Sequence, residues 1–214
     1  MPKAIIFDLE GVIIDTENTV WDQAATIFLV NHGKVYNREK TKHLLMGRNL
    51  QEGIAILKKQ YGFSGDNQKL VQERRAIVKR LFGQNVNFMP GFMNFYQSVV
   101  DKFSLAIATS LERPLLTLVD KRLNLSKLFG GHVYSIADVN YIGKPSPDVF
   151  LYAAKKLGVA PNECLVIEDS PNGIEAAKKA GMYSVGITNT VDAQKLQGAD
   201  LVVNTYSDIK LTNF

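Results

Sequence analysis

Cysteine is nearly absent from this chain. Cys164 is the sole thiol in 214 residues, so no disulfide can form within it. Long apolar runs are absent too. No stretch approaches the roughly 20 residues that a membrane helix needs, so no membrane partner is expected. Charge never gathers into a block of one sign. Lys and Arg number 25 against 21 Asp and Glu, a net charge of +4. That balance suits an anionic small molecule and is too dispersed for nucleic acid. The three histidines, His32, His43 and His132, lack ligand spacing and read as structural or exposed. Met1-Pro2-Lys3 runs straight into an apolar segment, with no basic region, long apolar run or cleavage site, so no secretory leader and a cytoplasmic location are expected.

What is present is a rhythm of short aliphatic runs: Ala4 to Phe7, Leu105 to Ala108, Cys164 to Ile167, Tyr183 to Ile187 and Leu201 to Val203. They are continuous rather than alternating, as strands buried on both faces are. Cys164 opens one of them and reads as a small apolar residue rather than a nucleophile. Amphipathic stretches lie between most of the runs. One begins near Pro147 and stops at Gly158; another begins at Pro171 and stops at Gly181. Proline early and glycine just past the end are helix punctuation. Strand alternating with helix predicts an α/β fold with a doubly wound parallel sheet.

Residues 16–87 break that rhythm and read as consecutive helices, a small domain inserted after the first strand; the core domain is 1–15 with 88–214. The first insert helix carries Val20, Ala24, Ile27 and Phe28 and ends at Gly33. A second begins at Asn49, with Glu52 three residues on as in a capping box, and carries Ile54, Leu57 and Tyr61 before Gly62. A third begins near Asp66 and carries Leu70, Ile77 and Leu81 before Gly83. Trp21 and the run Phe92 to Phe95 read as packing residues, and Arg74 and Arg75 as surface charges.

Ligands of an open α/β sheet gather outside the carboxyl ends of its strands. The residues there are Asp8, Glu10 and Gly11 after the first run, Thr109 and Ser110 after the second, and Glu168, Asp169 and Ser170 after the third; Lys144 stands before the helix at Pro147. Carboxylates converging on one crevice repel each other unless a cation lies among them, and hard oxygen donors select magnesium. A hydroxyl, a backbone N–H and a lysine beside that cation make a phosphate cradle.

Four segments then carry a resemblance. Phe7-Asp8-Leu9-Glu10-Gly11-Val12-Ile13-Ile14-Asp15-Thr16-Glu17, Ile107-Ala108-Thr109-Ser110, Gly143-Lys144-Pro145-Ser146-Pro147-Asp148 and Val166-Ile167-Glu168-Asp169-Ser170-Pro171 resemble, in order, the four motifs of the haloacid dehalogenase superfamily. The match spans essentially the whole chain. It lies closest to the branch of β-phosphoglucomutase and pseudouridine-5'-phosphatase, which has a Rossmann-like core and a helical cap after the first motif. The resemblance implies a magnesium-dependent phosphatase working through an aspartyl-phosphate on a small phosphorylated metabolite, a sugar or nucleoside phosphate. It implies Asp8 as nucleophile. Asp8, Asp169 and the Glu10 carbonyl would hold Mg2+, with Glu168 as a further ligand or orienting a water. Thr109, Ser110 and Lys144 would bind the phosphoryl group. Glu10 would be the acid and then the base. A monomer or weak dimer is expected.

The chain departs from the pattern at Glu10, where the family's phosphatases carry aspartate. Glutamate can transfer the same proton from one methylene further out, so the site has adapted, turnover is reduced, or the residue is an engineered change. Asp15 and Glu17 suit a helix start, favoured by its dipole, as well as a catalytic role, and Thr16 sits near the hinge to the cap. Arg48 either sets specificity or is a solvated helix-start arginine. A mutase is the runner-up function, but such enzymes usually carry a histidine where Asn18, Thr19 and Val20 stand. A catalytically impaired binding or regulatory homologue is the third reading.

Overall fold

A computed structural model describes residues 2–45, 48 and 50–211. The chain divides into two compact units, 1–15 with 87–214, and 16–86. The division falls between Val86 and Asn87. Asn87 belongs with the sheet-bearing unit, where its carbonyl accepts the Asp15 N–H at 3.1 Å.

The larger unit is built on six strands: β1 Ala4–Phe7, β2 Ser104–Thr109, β3 Val133–Ser135, β4 Cys164–Glu168, β5 Tyr183–Ile187 and β6 Leu201–Val203. They lie in the order β3-β2-β1-β4-β5-β6, every neighbouring pair parallel. The chain thus winds outward from β1 on one side, then returns to β4 on the other. That reversal opens a crevice at the carboxyl ends of the central strands, where such sheets bind ligands. Register sets what faces it. Phe7 pairs with both Ile107 and Ile167, so Asp8 emerges level with the ends of β2 and β4.

Both faces of the sheet are covered, which is why its central strands lack alternation. On one face Ile6, Ala106 and Val166 pack with Phe150, Ala153, Ala176 and Ala177. On the other, Phe7 meets the rings of Phe92, Phe95 and Phe129 edge-on at 5.8–6.2 Å. The Phe92–Phe95 run is therefore core, on the helix Phe92–Val99. The expected helices at Pro147 and Pro171 run Asp148–Leu157 and Pro171–Lys179, the first ending on Gly158 in the left-handed conformation. Strand β3 was not among the aliphatic runs. Val133 and Tyr134 favour a strand, but three residues are too short to mark one, and pairing with β2 decides it.

The smaller unit is helical throughout its described residues: a π-turn Glu17–Trp21, then Asp22–Asn31, Arg38–Leu45, Leu50–Tyr61 and Asn67–Gln84. Asp66 caps the last, accepting the Lys69 N–H at 3.0 Å. That helix does not stop at Gly83 but runs through it. A glycine inside a helix costs about 1 kcal/mol, which burial of Leu81 and Phe82 offsets. The polar helix Arg38–Leu45 has no counterpart in the expected layout, and the expected start at Asn49 lies outside the described residues. Trp21 packs edge-on against Phe82 at 5.8 Å. His32 stacks on Phe63 and meets Glu73 at 3.0 Å, while His43 is exposed.

One side chain contradicts its sequence reading. Arg74 is not a surface charge: it is only 4% exposed, and its Nε has no hydrogen-bond partner. Its place on the inner stripe of the helix, between Leu70 and Ile77, decides this, whereas Arg75 points outward. Burial lowers its guanidinium to about 10, which still leaves it charged at neutral pH. Gly53 makes room for it, since a Cβ there would collide with Nη1. A buried donor without a partner costs about 1–3 kcal/mol. Arg74→Met, which keeps the length and removes the charge, is therefore expected to stabilise the protein by about 1–3 kcal/mol. Urea unfolding should show a higher midpoint with an unchanged slope; a lower midpoint would contradict the accounting.

Candidate active site

Asp8 follows the last residue of β1, and its N–H donates to the Ile167 carbonyl of β4 at 3.0 Å. Glu168 ends β4 and Asp169 follows it. All three carboxylates are buried, and each offers an oxygen within 4.8 Å of the others'. The parallel register puts them there, since adjacent strands leave the sheet at one level.

Lys144 enters this acidic point from the loop before the helix Asp148–Leu157, through a cis Lys144–Pro145 bond. Its ammonium donates to Asp8 Oδ1 at 2.5 Å and to Glu168 Oε1 at 2.8 Å, and lies 4.6 Å from the centre of the Phe150 ring. The other Glu168 oxygen accepts the N–H groups of Asp169 and Ser170, both at 2.6 Å. Three donors thus hold Glu168 in place. Gly173, in the helix Pro171–Lys179, leaves space for it, because a Cβ would overlap its carboxylate.

One lysine does not neutralise three carboxylates. Burial pushes the Asp8 carboxyl up to about 7 from its ordinary 3.8, with Lys144 opposing and the charges of Glu168 and Glu10 adding to the rise. Burial and the charges of Glu168 and Asp8 hold Asp169 well above the usual carboxylate range. For Lys144, burial favours the neutral form, but Asp8 and Glu168 outweigh it and keep the ammonium firmly protonated. Buried hard oxygen donors with unbalanced negative charge are the donor set a hard divalent cation takes.

Thr109 ends β2 and is buried; its Oγ1 accepts the Leu111 N–H at 3.0 Å, leaving the hydroxyl proton available to donate. Ser110 is exposed beside it. The Leu111 carbonyl accepts from Ser135 Oγ at 2.7 Å, which pins this turn to β3. Glu10 is half-buried and its carboxylate lies outside the cluster of three, although its charge reaches Asp8. Arg48 is exposed in the helical unit. Cys164 is buried at the opposite, amino end of β4, where burial pushes its thiol up to about 11, away from nucleophilic use.

Several residues escaped the sequence reading. Thr190 Oγ1 donates to the Asp169 carboxylate, and Asn189 Nδ2 donates to the Gly11 carbonyl at 2.7 Å. Both follow β5, so reading past every strand end would have found them. Tyr206 Oη donates to the Val12 carbonyl at 2.6 Å from a 3-10 turn near the chain's end, and no sequence signal marks it.

The raised Asp8 carboxyl carries a consequence for stability. Between pH 3.8 and about 7 the folded, cation-free protein holds a proton that the unfolded chain has released. Folded-state proton binding in excess of the unfolded state makes stability fall as pH rises. Cation-free protein is therefore expected to melt at a lower temperature at pH 8 than at pH 5, and Mg2+ should raise the melting temperature more at pH 8. Asp8→Asn should flatten both trends. Scanning calorimetry of both proteins checks this, and an Asp8→Asn profile parallel to wild type would refute it.

The comparisons agree with this geometry. The family model for haloacid dehalogenase-like hydrolases matches residues 5–187. The "Probable pseudouridine-5'-phosphatase" of Drosophila melanogaster is 31% identical, over 98% of this chain and 92% of its own length. The phosphorylated carbohydrates phosphatase of Thermotoga maritima is 31% identical over 90% and 88%. The solved β-phosphoglucomutase of Clostridium difficile superposes with a TM-score of 0.71 at 26% identity, covering 100% of this chain and 95% of that one. No helix among the described residues is long and apolar enough to cross a membrane. With six parallel strands in this order and a buried acidic crevice at their carboxyl ends, the chain belongs to the family of haloacid dehalogenase-like hydrolases.

Proposed function

We infer that this chain is a phosphatase releasing phosphate from a small phosphorylated metabolite, with Asp8 as the nucleophile and magnesium as the cofactor. One observation carries the reading: a buried lysine bridges Asp8 and Glu168 beside Asp169, and the Thr109 hydroxyl stands at the end of the neighbouring strand. The relatives named for phosphatase activity toward pseudouridine 5'-phosphate and phosphorylated carbohydrates support a nucleoside or sugar phosphate as the substrate class.

Asp8 and Asp169 would hold the metal with the Glu10 carbonyl, and the three-carboxylate donor set fits it. When bound, magnesium offsets the negative charge that Lys144 leaves uncompensated and draws phosphoryl oxygens toward Asp8. Asp8 attacks phosphorus; the phosphorus–oxygen bond to the metabolite breaks, and an aspartyl-phosphate forms. Glu10 gives its proton to the departing oxygen. In the second half it takes a proton from water, whose oxygen attacks the same phosphorus and frees Asp8. Thr109 donates its hydroxyl proton to the phosphoryl group, assisted by the Ser110 N–H, and Lys144 offsets the charge on that group and on Asp8. Glu168, itself held by two backbone donors, holds Lys144 in place. Arg48 contributes to substrate choice from the helical unit.

A mutase would share this first half-reaction, and the Clostridium structure keeps that reading open. It would return the phosphoryl group to a sugar instead of water, so the product decides. Phosphate release from phosphorylated sugars and nucleosides, with Mg2+ and with chelator, tests the function. Release is expected with Mg2+ and none after exhaustive chelation. Asp8→Asn should lose turnover by many orders of magnitude while keeping its fold by circular dichroism, because a carboxamide cannot form the covalent intermediate. Turnover at the wild-type rate in that variant would eliminate the aspartyl-phosphate route.

Glu10 generates its own test. Its carboxyl is one bond further out than aspartate's, and a misplacement of about 1 Å can cost about 10²-fold. Glu10→Asp is expected to raise kcat about tenfold to a hundredfold. Substrates with poor leaving groups should gain most, because they depend most on protonation, and an activated aryl phosphate least. Unchanged or lower rates on both would mean that the site is adapted to glutamate.

A further inference from the structure

We propose that Asn189 and Thr190, on the loop leaving β5, are positioning residues: Thr190 orients the Asp169 carboxylate for the cation, and Asn189 fixes the backbone of the loop that carries Asp8 and Glu10. The inference rests on the metal-dependent reading above.

The loop is anchored before it reaches the crevice. The Thr188 N–H donates to the Val203 carbonyl at 3.0 Å, and its hydroxyl donates to Asn204 Oδ1 at 3.0 Å. The next two side chains reach across two different strands. Thr190 Oγ1 faces Asp169 Oδ2 and, at 3.2 Å, the Asp169 carbonyl. Both are acceptors, so the hydroxyl must be the donor, and its one proton goes to the nearer carboxylate. With Oδ2 engaged, Oδ1 is the oxygen left for a cation, and the carboxylate plane is set before any metal arrives. Asn189 Nδ2 meanwhile donates to the Gly11 carbonyl at 2.7 Å.

The loop after β1 is gripped residue by residue. Asn189 takes the Gly11 carbonyl, Tyr206 Oη that of Val12 at 2.6 Å, and the Met89 N–H that of Ile13 at 2.8 Å. Gly11 makes this closure possible. It sits at φ +74°, and a Cβ there would run into the Asp169 carboxylate and the Thr190 methyl group. The loops after β1, β4 and β5 therefore meet at one point, where the Asp169 and Thr190 side chains pack against the bare backbone of Gly11. Thr190 and Asn189 tie that point from the third strand.

The two residues should fail differently. Groups that hydrogen-bond a metal-ligating carboxylate are typically worth 10–100-fold in metal affinity. Thr190→Val keeps the shape and removes the donor, so Mg2+ should bind about 10–100-fold more weakly by calorimetry. At saturating Mg2+ most of kcat should return. Thr190→Ser should restore affinity, because only the hydroxyl matters. Asn189→Ala should lower kcat even at saturating Mg2+, and, because the loop it holds carries Asp8 and Glu10, should weaken Mg2+ binding as well. Gln194→Ala, exposed in the 3-10 turn that follows, is the control and should alter neither. Should Thr190→Val fail to fold, Thr190→Ala against Thr190→Ser makes the same comparison. Equal Mg2+ affinity with and without the hydroxyl, in folded protein that still releases phosphate, overturns the positioning role and leaves the function intact. Wild-type protein that neither binds Mg2+ nor releases phosphate overturns both.

Discussion

The site depends on one ammonium group. Lys144 lies between Asp8 and Glu168 in a crevice where three carboxylates are buried together. Among the described residues no other cation pairs with them, and burying carboxylates without a counter-charge costs several kcal/mol each. With Lys144, the balance is still negative. Burial, with the charges of the neighbouring carboxylates adding to it, keeps Asp8 and Asp169 above the ordinary carboxylate range. A buried cluster with perturbed carboxylates is how sites specialised for charge are built.

The sheet makes the crevice possible. Parallel strands with both faces covered can end side by side at one level, so residues distant in sequence emerge together. Asp8 and Lys144 are 136 positions apart and share a hydrogen bond. Rigidity comes from below, where Phe7 immediately precedes Asp8 and is locked among Phe92, Phe95 and Phe129. Asp8 thus stands on a packed aromatic layer, and a side chain is only as well placed as the shell beneath it.

Around that centre the parts are held by different partners. Glu168 accepts from Lys144 and two backbone N–H groups, and Asp169 is tied by the Thr190 hydroxyl. The loop that carries Asp8 is held by its carbonyls, which accept from Asn189, Tyr206 and the Met89 N–H of the same unit.

Much of this was legible in the sequence, for local reasons. Continuous aliphatic runs mark strands buried on both faces, proline and glycine mark helix ends, and the residues just past the strands name Asp8, Thr109, Glu168 and Asp169. Those signals are read within a few residues, and elementary sterics fix them. What the sequence could not decide rests on contacts made only in three dimensions. Val133–Ser135 is a strand because β2 lies beside it. Gly83 stays helical because its neighbours are buried. Arg74 is buried because of the face it occupies on its helix, although as a residue type it belongs at a surface. Asn189, Thr190 and Tyr206 acquire their partners only when the chain brings 189, 190 and 206 back to 11, 169 and 12. The kind of chemistry was local and therefore readable; its alignment is a property of the assembled sheet, because hydrogen bonds across such separations exist only after folding.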